Sequence, residues 1–331
     1  MKEPCDYNYT SITNLINDTN YHHRESHEPL TEDPFASSVC GVLPTIGPRI
    51  AGGFAADVEY PWFALLKRPQ DMYGECGGTL ITNHHVLTAA HCYSFNEYES
   101  YWKNEFVILL GVTNICDLNE NTEKFNQDWV IIHPEFHPEN VFTDTSTLND
   151  IAVVKLAGTS KKIPICLPDL ESQLPHHGEI LGMGYIKEDE LNKPCELQKA
   201  LVDMYDQKTC KTFRDIHYNP FHIKDDFLCT NSDTDTCKGD SGGPLQCLNE
   251  ENVYTLYGIT SLGVGCGKKN IPGIYTDVLY HVPWIKNITY STPNEGSEET
   301  NIQQDSHSSN SIESSKSLLK RFISRRLHLL E

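Results

Sequence analysis

The chain has 331 residues, 38% hydrophobic and 22% charged, enough for one large soluble domain or two ordinary ones. Its formal net charge of -20 excludes nucleic acid as a partner, because phosphate binding asks for a basic patch. Twelve cysteines are too many for a typical cytosolic chain of this size and too dilute for a mini-protein held by disulfides alone, so they point to an oxidising compartment.

In chain order, residues 1–49 are polar, carry His22, His23 and His27, and lack periodicity, which predicts a largely disordered leader. The start, Met1 to Cys5, has no apolar core, so no signal peptide is visible; the cysteines alone carry the expectation of a secreted protein. Asn-x-Thr sequons at Asn8, Asn17 and Asn287 agree with a secreted glycoprotein. Residues 50–290 hold nearly all the apolar patterning. Short β-rich runs recur there between Gly and Pro turn signals: Trp62 to Leu66, Phe106 to Leu110, Ile151 to Leu156 and Tyr254 to Ile259. Many short strands of this kind predict an all-β barrel or sandwich. No run approaches the roughly 18 apolar residues of a spanning helix. Residues 291–315, rich in Ser, Asn, Glu and Gln, read as a flexible acidic linker, and residues 316–331 turn basic and Leu-rich.

Three segments carry chemistry: Leu87-Thr88-Ala89-Ala90-His91-Cys92, Asn149-Asp150-Ile151-Ala152-Val153, and Gly239-Asp240-Ser241-Gly242-Gly243-Pro244. A serine hydroxyl is a weak nucleophile at neutral pH and needs a base in contact. A histidine, with an ordinary pKa of about 6.5, can take and return the proton. A carboxylate can fix the imidazole tautomer and stabilise the imidazolium. A lone His, Asp or Ser usually reads as an ordinary polar residue; the three segments together do not.

With these motifs in the order His, Asp, Ser, the chain resembles the chymotrypsin-like serine proteases, in particular the trypsin-type branch, from about Ile50 to Ile288. The resemblance implies two six-stranded antiparallel β-barrels with the active site in the cleft between them, followed by a short C-terminal helix. It implies His91 as base, Asp150 as its orienter, Ser241 as nucleophile, and the amides of Gly239 and Ser241 as the oxyanion hole. Arg49-Ile50-Ala51-Gly52-Gly53 resembles the family's activation junction, with Ala51 in place of the usual Val. Cleavage there would free an Ile50 ammonium to pair with buried Asp240. Asp235, six residues before Ser241, matches the floor of the primary specificity pocket, where an acid selects Arg or Lys. Neighbouring Asp233 is the other candidate acid, but the run from Asp235 to Ser241 has no gap. Thr236 could help bind Lys, Gly263 and Gly273 match the open pocket walls, and Ser261-Leu262-Gly263 matches the segment that pairs with substrate backbone. Leu262 replaces a usual Trp there. No metal or other cofactor is implied: Val112 stands where calcium-binding relatives have an acid, and Pro272 where sodium-activated ones have an aromatic residue.

The resemblance also implies the bridges Cys40–Cys166, Cys76–Cys92, Cys210–Cys229 and Cys237–Cys266. Of the remaining cysteines, Cys195–Cys247 and Cys5–Cys116 are the pairings expected. The partners implied are protein or peptide substrates with Arg or Lys before the cut, and protein protease inhibitors. A catalytically silent homologue acting as a binding module is the competing reading; the presence of all three chemical residues and Arg49 speaks against it. The 316–331 segment reads either as a frayed tail or as a weak anchor to an anionic surface, cut by the enzyme itself near Lys320-Arg321.

Overall fold

A computed structural model describes residues 39–44, 54–56, 58–94, 106–137, 149–187, 193–210, 212, 226–230, 236–249, 251–262 and 272–290. The strands are β1 (Phe54–Ala55), β2 (Phe63–Lys67), β3 (Cys76–Thr82), β4 (His85–Thr88), β5 (Val107–Leu110), β6 (Glu123–Ile132), β7 (Ala152–Leu156), β8 (His177–Gly182), β9 (Gln198–Tyr205), β10 (Phe227–Thr230), β11 (Pro244–Leu248), β12 (Tyr254–Leu262) and β13 (Gly273–Asp277). A one-turn helix, α1 (His91–Ser94), and a longer one, α2 (Val278–Tyr290), complete the described elements.

Two closed six-stranded antiparallel barrels result. The first runs β2-β3-β4-β7-β6-β5 and closes through the β2–β5 pair. The second runs β9-β10-β13-β12-β11-β8, closes through β8–β9, and carries β1 as an extra strand on β9. The four apolar runs legible in the sequence became β2, β5, β7 and β12. Strands β3, β4 and β5 are buried throughout, whereas β6 alternates half-buried and exposed positions over its first half, the period of a strand with one wet face. Ile180, Val202, Met204, Leu228, Leu245 and Tyr275 fill the second barrel. α2 buries Val278, His281, Val282, Ile285 and Thr289, one helical stripe, and three of these join the core that extends from the first barrel.

One buried polar contact crosses between the barrels, and a second, inside the second barrel, satisfies the same glutamine. Trp62 Nε1 donates to Gln246 Oε1 at 2.7 Å, and Gln246 Nε2 donates to Glu179 Oε1 at 3.0 Å. Both donors are buried or half-buried, so losing either acceptor would leave a costly unpaired group.

Part of the leader is held on the two-barrel body. Cys40 is bonded to Cys166, Gly41 N donates to Pro164 O at 2.8 Å, and Tyr254 N donates to Gly41 O at 2.8 Å. The rest of residues 1–49, together with residues 291–331, lies outside the described residues. Cys76–Cys92 and Cys210–Cys229 are also present. The expected Cys195–Cys247 and Cys5–Cys116 pairings are corrected, because Cys116 is bonded to Cys195. An isolated antiparallel bridge between Asn114 and Glu196, with Ile115 N donating to Cys195 O at 2.8 Å, brings the two Cα atoms to 5.3 Å. Cys237 and Cys247 are both disulfide-bonded; Cys266, the partner expected for Cys237, lies outside the described residues.

Candidate active site

His91 opens α1 immediately after β4, and Asp150 lies just before β7, the neighbour of β4 in the first barrel. The imidazole Nδ1 and Asp150 Oδ2 are 2.7 Å apart, and the His91 backbone N–H donates to Asp150 Oδ1 at 2.8 Å. The two bonds fix both the ring and the main chain of His91 against one carboxylate. The Asp150 side chain is fully buried, which alone would push its pKa up; the facing imidazole, with hydrogen bonds from His91 and Ser261, holds it below the usual carboxylate range. Burial alone would likewise push His91 down, but the Asp150 charge and hydrogen bond outweigh it and hold the ring above its ordinary value.

Ser261 belongs to this cluster. Its hydroxyl donates to Asp150 Oδ2 at 2.5 Å, and it is 5% exposed. The cause is a register shift: Thr260 faces Tyr275 and Leu262 faces Ile274, leaving Ser261 as an extra residue in β12. A bulge of this kind re-aims one side chain. The sequence suggested Ser261 only as part of a substrate-pairing segment; its bond to the carboxylate depends on a long-range register and leaves no local signal beyond a small polar residue in an apolar strand.

Asn149, directly before Asp150, has φ 29°, a conformation that Asn tolerates better than most residues. Its N–H donates to Asp226 Oδ2 at 2.5 Å, and Thr276 Oγ1 donates to Asp150 O at 2.9 Å. Asp226 and Thr276 belong to the second barrel's side, so the carboxylate from the first barrel is pinned by the other. Neither contact was anticipated from the sequence.

Ser241 sits in the tight turn leading into β11. Gly77 N donates to Ser241 O at 2.7 Å, and Gly242 N donates to Thr260 O at 2.7 Å, so β3 flanks the serine on one side and β12 on the other. Cys76, next to Gly77, is bonded to Cys92, next to His91, which ties the serine segment to the histidine segment. Gly242 has φ 83°, and a Cβ there would collide with Thr88 Oγ1 and Gly77 O. Only glycine suits that position. Gly239 precedes it at φ 98°.

Asp240 is buried. Its Oδ1 accepts from Gly184 N at 2.7 Å and its Oδ2 from Cys237 N at 2.8 Å. Burial pushes its pKa up to about 6 despite these bonds and the nearby Lys193 charge. Thr236 is buried and Gly273 begins β13 opposite Thr230. Arg49, Ile50, Asp235 and Gly263, and the sequons at Asn8 and Asn17, lie outside the described residues. Asn287 is exposed on α2, while Thr289 of its sequon is buried and donates to Ile285 O at 3.0 Å.

A family model described as Trypsin matches residues 50–285. Human tissue-type plasminogen activator is 34% identical over 275 residues, covering 75% of this chain and 46% of that protein. Chicken (Gallus gallus) urokinase-type plasminogen activator is 34% identical, covering 72% and 56%. Bovine (Bos taurus) coagulation factor XI is 35% identical, covering 72% and 38%. The chain thus spans about half the length of the relatives it matches.

Proposed function

The chain belongs to the trypsin family of serine proteases, and from that premise we propose that it is a secreted endopeptidase that cuts after Arg or Lys through His91, Asp150 and Ser241. The observation that carries the reading is the double hold of Asp150 on His91, reinforced by Ser261 of β12, in a chain whose Ser241 turn is hydrogen-bonded to β3 and to that same β12. Asp150 accepts a hydrogen bond from Nδ1–H, which keeps that proton on the ring and leaves Nε2 of the neutral imidazole to act as base. Ser241 Oγ attacks the scissile carbonyl carbon while its proton passes to His91 Nε2. The resulting oxyanion is received by the amides of Gly239 and Ser241, a contribution of about 3–4 kcal/mol per donor in such sites. His91 then gives the proton to the leaving amine, the C–N bond breaks, and an acyl-enzyme on Ser241 Oγ remains. Water, deprotonated by the same ring, releases the acid and regenerates the hydroxyl.

Asp235 is the residue that selects a cationic side chain, lined by Thr236, Gly263 and Gly273. Cleavage between Arg49 and Ile50 frees an ammonium that offsets the buried Asp240 charge, which supports a zymogen stage. The disulfides support an oxidising, extracellular setting. Protein substrates and protein inhibitors are the partners of this reading.

The test is hydrolysis of matched arginyl, lysyl and phenylalanyl amides by material cleaved at Arg49–Ile50. The reading requires arginyl and lysyl cleavage, abolished by Ser241→Ala and strongly reduced by Asp235→Ser. A phenylalanyl preference would overturn the specificity, and activity surviving Ser241→Ala would overturn the nucleophile.

A further inference from the structure

Lys193, on the segment before Cys195, crosses to the Ser241 turn. Its ammonium donates to Gly74 O at 2.6 Å and stands 5.3 Å from the centre of the Tyr185 ring. It also lies against Gly239: a Cβ built on that glycine would collide with Lys193 Nζ. Gly239 is two residues from Ser241, so a half-buried cation sits beside the reacting centre. No mechanistic step above uses it.

Its side of the centre follows from the hydrogen bonds. Ser241 lies between β12 and β3. In the proposed function the acyl half of the substrate runs along Ser261–Gly263, on the β12 flank. The half beyond the scissile bond therefore leaves over the β3 flank and the turn that precedes it. Gly74 belongs to that turn, and Lys193 is fastened to its carbonyl. The rim there is open: Met72 is 67% and Ile186 54% exposed.

The ammonium has capacity for another partner. Of its three donors, one reaches an acceptor among the described residues. The acids around it are Asp240, Glu75 and Asp71. The Asp240 carboxylate is turned to the amides of Gly184 and Cys237, and Glu75 is paired with Arg68 at 3.0 Å. Burial holds the Lys193 pKa below its ordinary value, although the Asp240, Glu75 and Asp71 charges act to raise it.

We propose that Lys193 is a specificity-determining residue that recognises an acidic side chain, Asp or Glu, among the first three residues of the substrate beyond the scissile bond. The proposal rests on the proteolytic reading above. It runs against the molecule's overall field, since a net charge of -20 disfavours acidic peptides generally. A preference confined to one position is therefore diagnostic.

The experiment uses the full chain cleaved at Arg49–Ile50 and peptides with Arg before the cut. At each of the three following positions, Glu and Gln are compared as a ratio of kcat/KM. The wild-type ratio should favour Glu by about threefold to fivefold at one position, the range of a solvent-accessible ion pair, and should fall toward one in high salt. Lys193→Met should bring the ratio to one or below, and Lys193→Glu should lower it further. A wild-type ratio of one at all three positions overturns the proposal without need of any variant. A preference that survives Lys193→Met overturns it too. Wild-type hydrolysis of an arginyl amide with no residue beyond the cut is measured alongside. Its absence would sink the proteolytic reading itself, whereas its presence with a flat ratio sinks only the role of Lys193.

Discussion

At the level of single residues, catalysis in the proposed function depends on how strongly one carboxylate is held. Asp150 collects a ring nitrogen, a backbone amide and the Ser261 hydroxyl. Ser261→Ala removes one hydrogen bond to a buried charge, so we expect a loss of about 1.5–3 kcal/mol in urea unfolding, together with lower kcat on arginyl amides. The pH profile has a definite sign. His91 must be neutral to act as base, and its pKa is held above the ordinary value, so kcat/KM should fall as pH drops through that raised value. Asp150→Asn removes the charge that raises it. The remaining activity should be lower by about 10⁴ at neutral pH, with its acid limb moved to lower pH. A limb that stays in place would mean that Asp150 does not govern His91. His91, Asp150 and Ser241 were legible because each sits in a short local motif. The bond of Ser261 to Asp150 and the roles of Asp226 and Lys193 were not, because the hydrogen bonds that define them join residues at least 77 apart along the chain.

At the level of elements, the junction between β13 and α2 makes its own prediction. Asp277 ends the strand and caps the helix, its Oδ1 accepting from Tyr280 N at 3.3 Å. Burial pushes its pKa up to about 6, from an ordinary value near 4. A folded-state pKa above the unfolded one means that the native state holds the proton more tightly. Stability from this group is therefore present below about pH 4 and lost as pH rises through about 6. Asp277→Asn keeps a capping oxygen without the charge. It should gain on the order of 1 kcal/mol relative to the native chain between pH 4 and pH 7.5 in urea titrations, whereas Asp277→Ala should lose about 1 kcal/mol from the missing cap. An Asn variant with the native pH slope would contradict this. The strands themselves were readable, since β2, β5, β7 and β12 each carry a short, mainly apolar, β-rich run between turn signals. The Cys116–Cys195 bridge was not, because it depends on the Asn114–Glu196 pairing, a register that no local pattern encodes.

At the level of the whole molecule, two barrels meet around residues contributed by both, and the leader is fastened to the body by Cys40–Cys166. After cleavage at Arg49–Ile50 the leader should therefore stay attached without reductant and separate with it, which electrophoresis under both conditions reads directly. Removing Cys116–Cys195 by a double Ser substitution should cost about 2–4 kcal/mol, since the bridge closes a separation of 79 residues. Both bridges hold the frame that carries His91 and the Ser241 turn, and in the proposed function that frame activates one serine. This activation is tested most directly by treating the cleaved chain with an arginine-like organophosphonate and locating the adduct by mass spectrometry. The account predicts a single adduct on Ser241, lost in His91→Ala and in the uncleaved chain. No adduct in the cleaved chain, or one on any other residue, would contradict it.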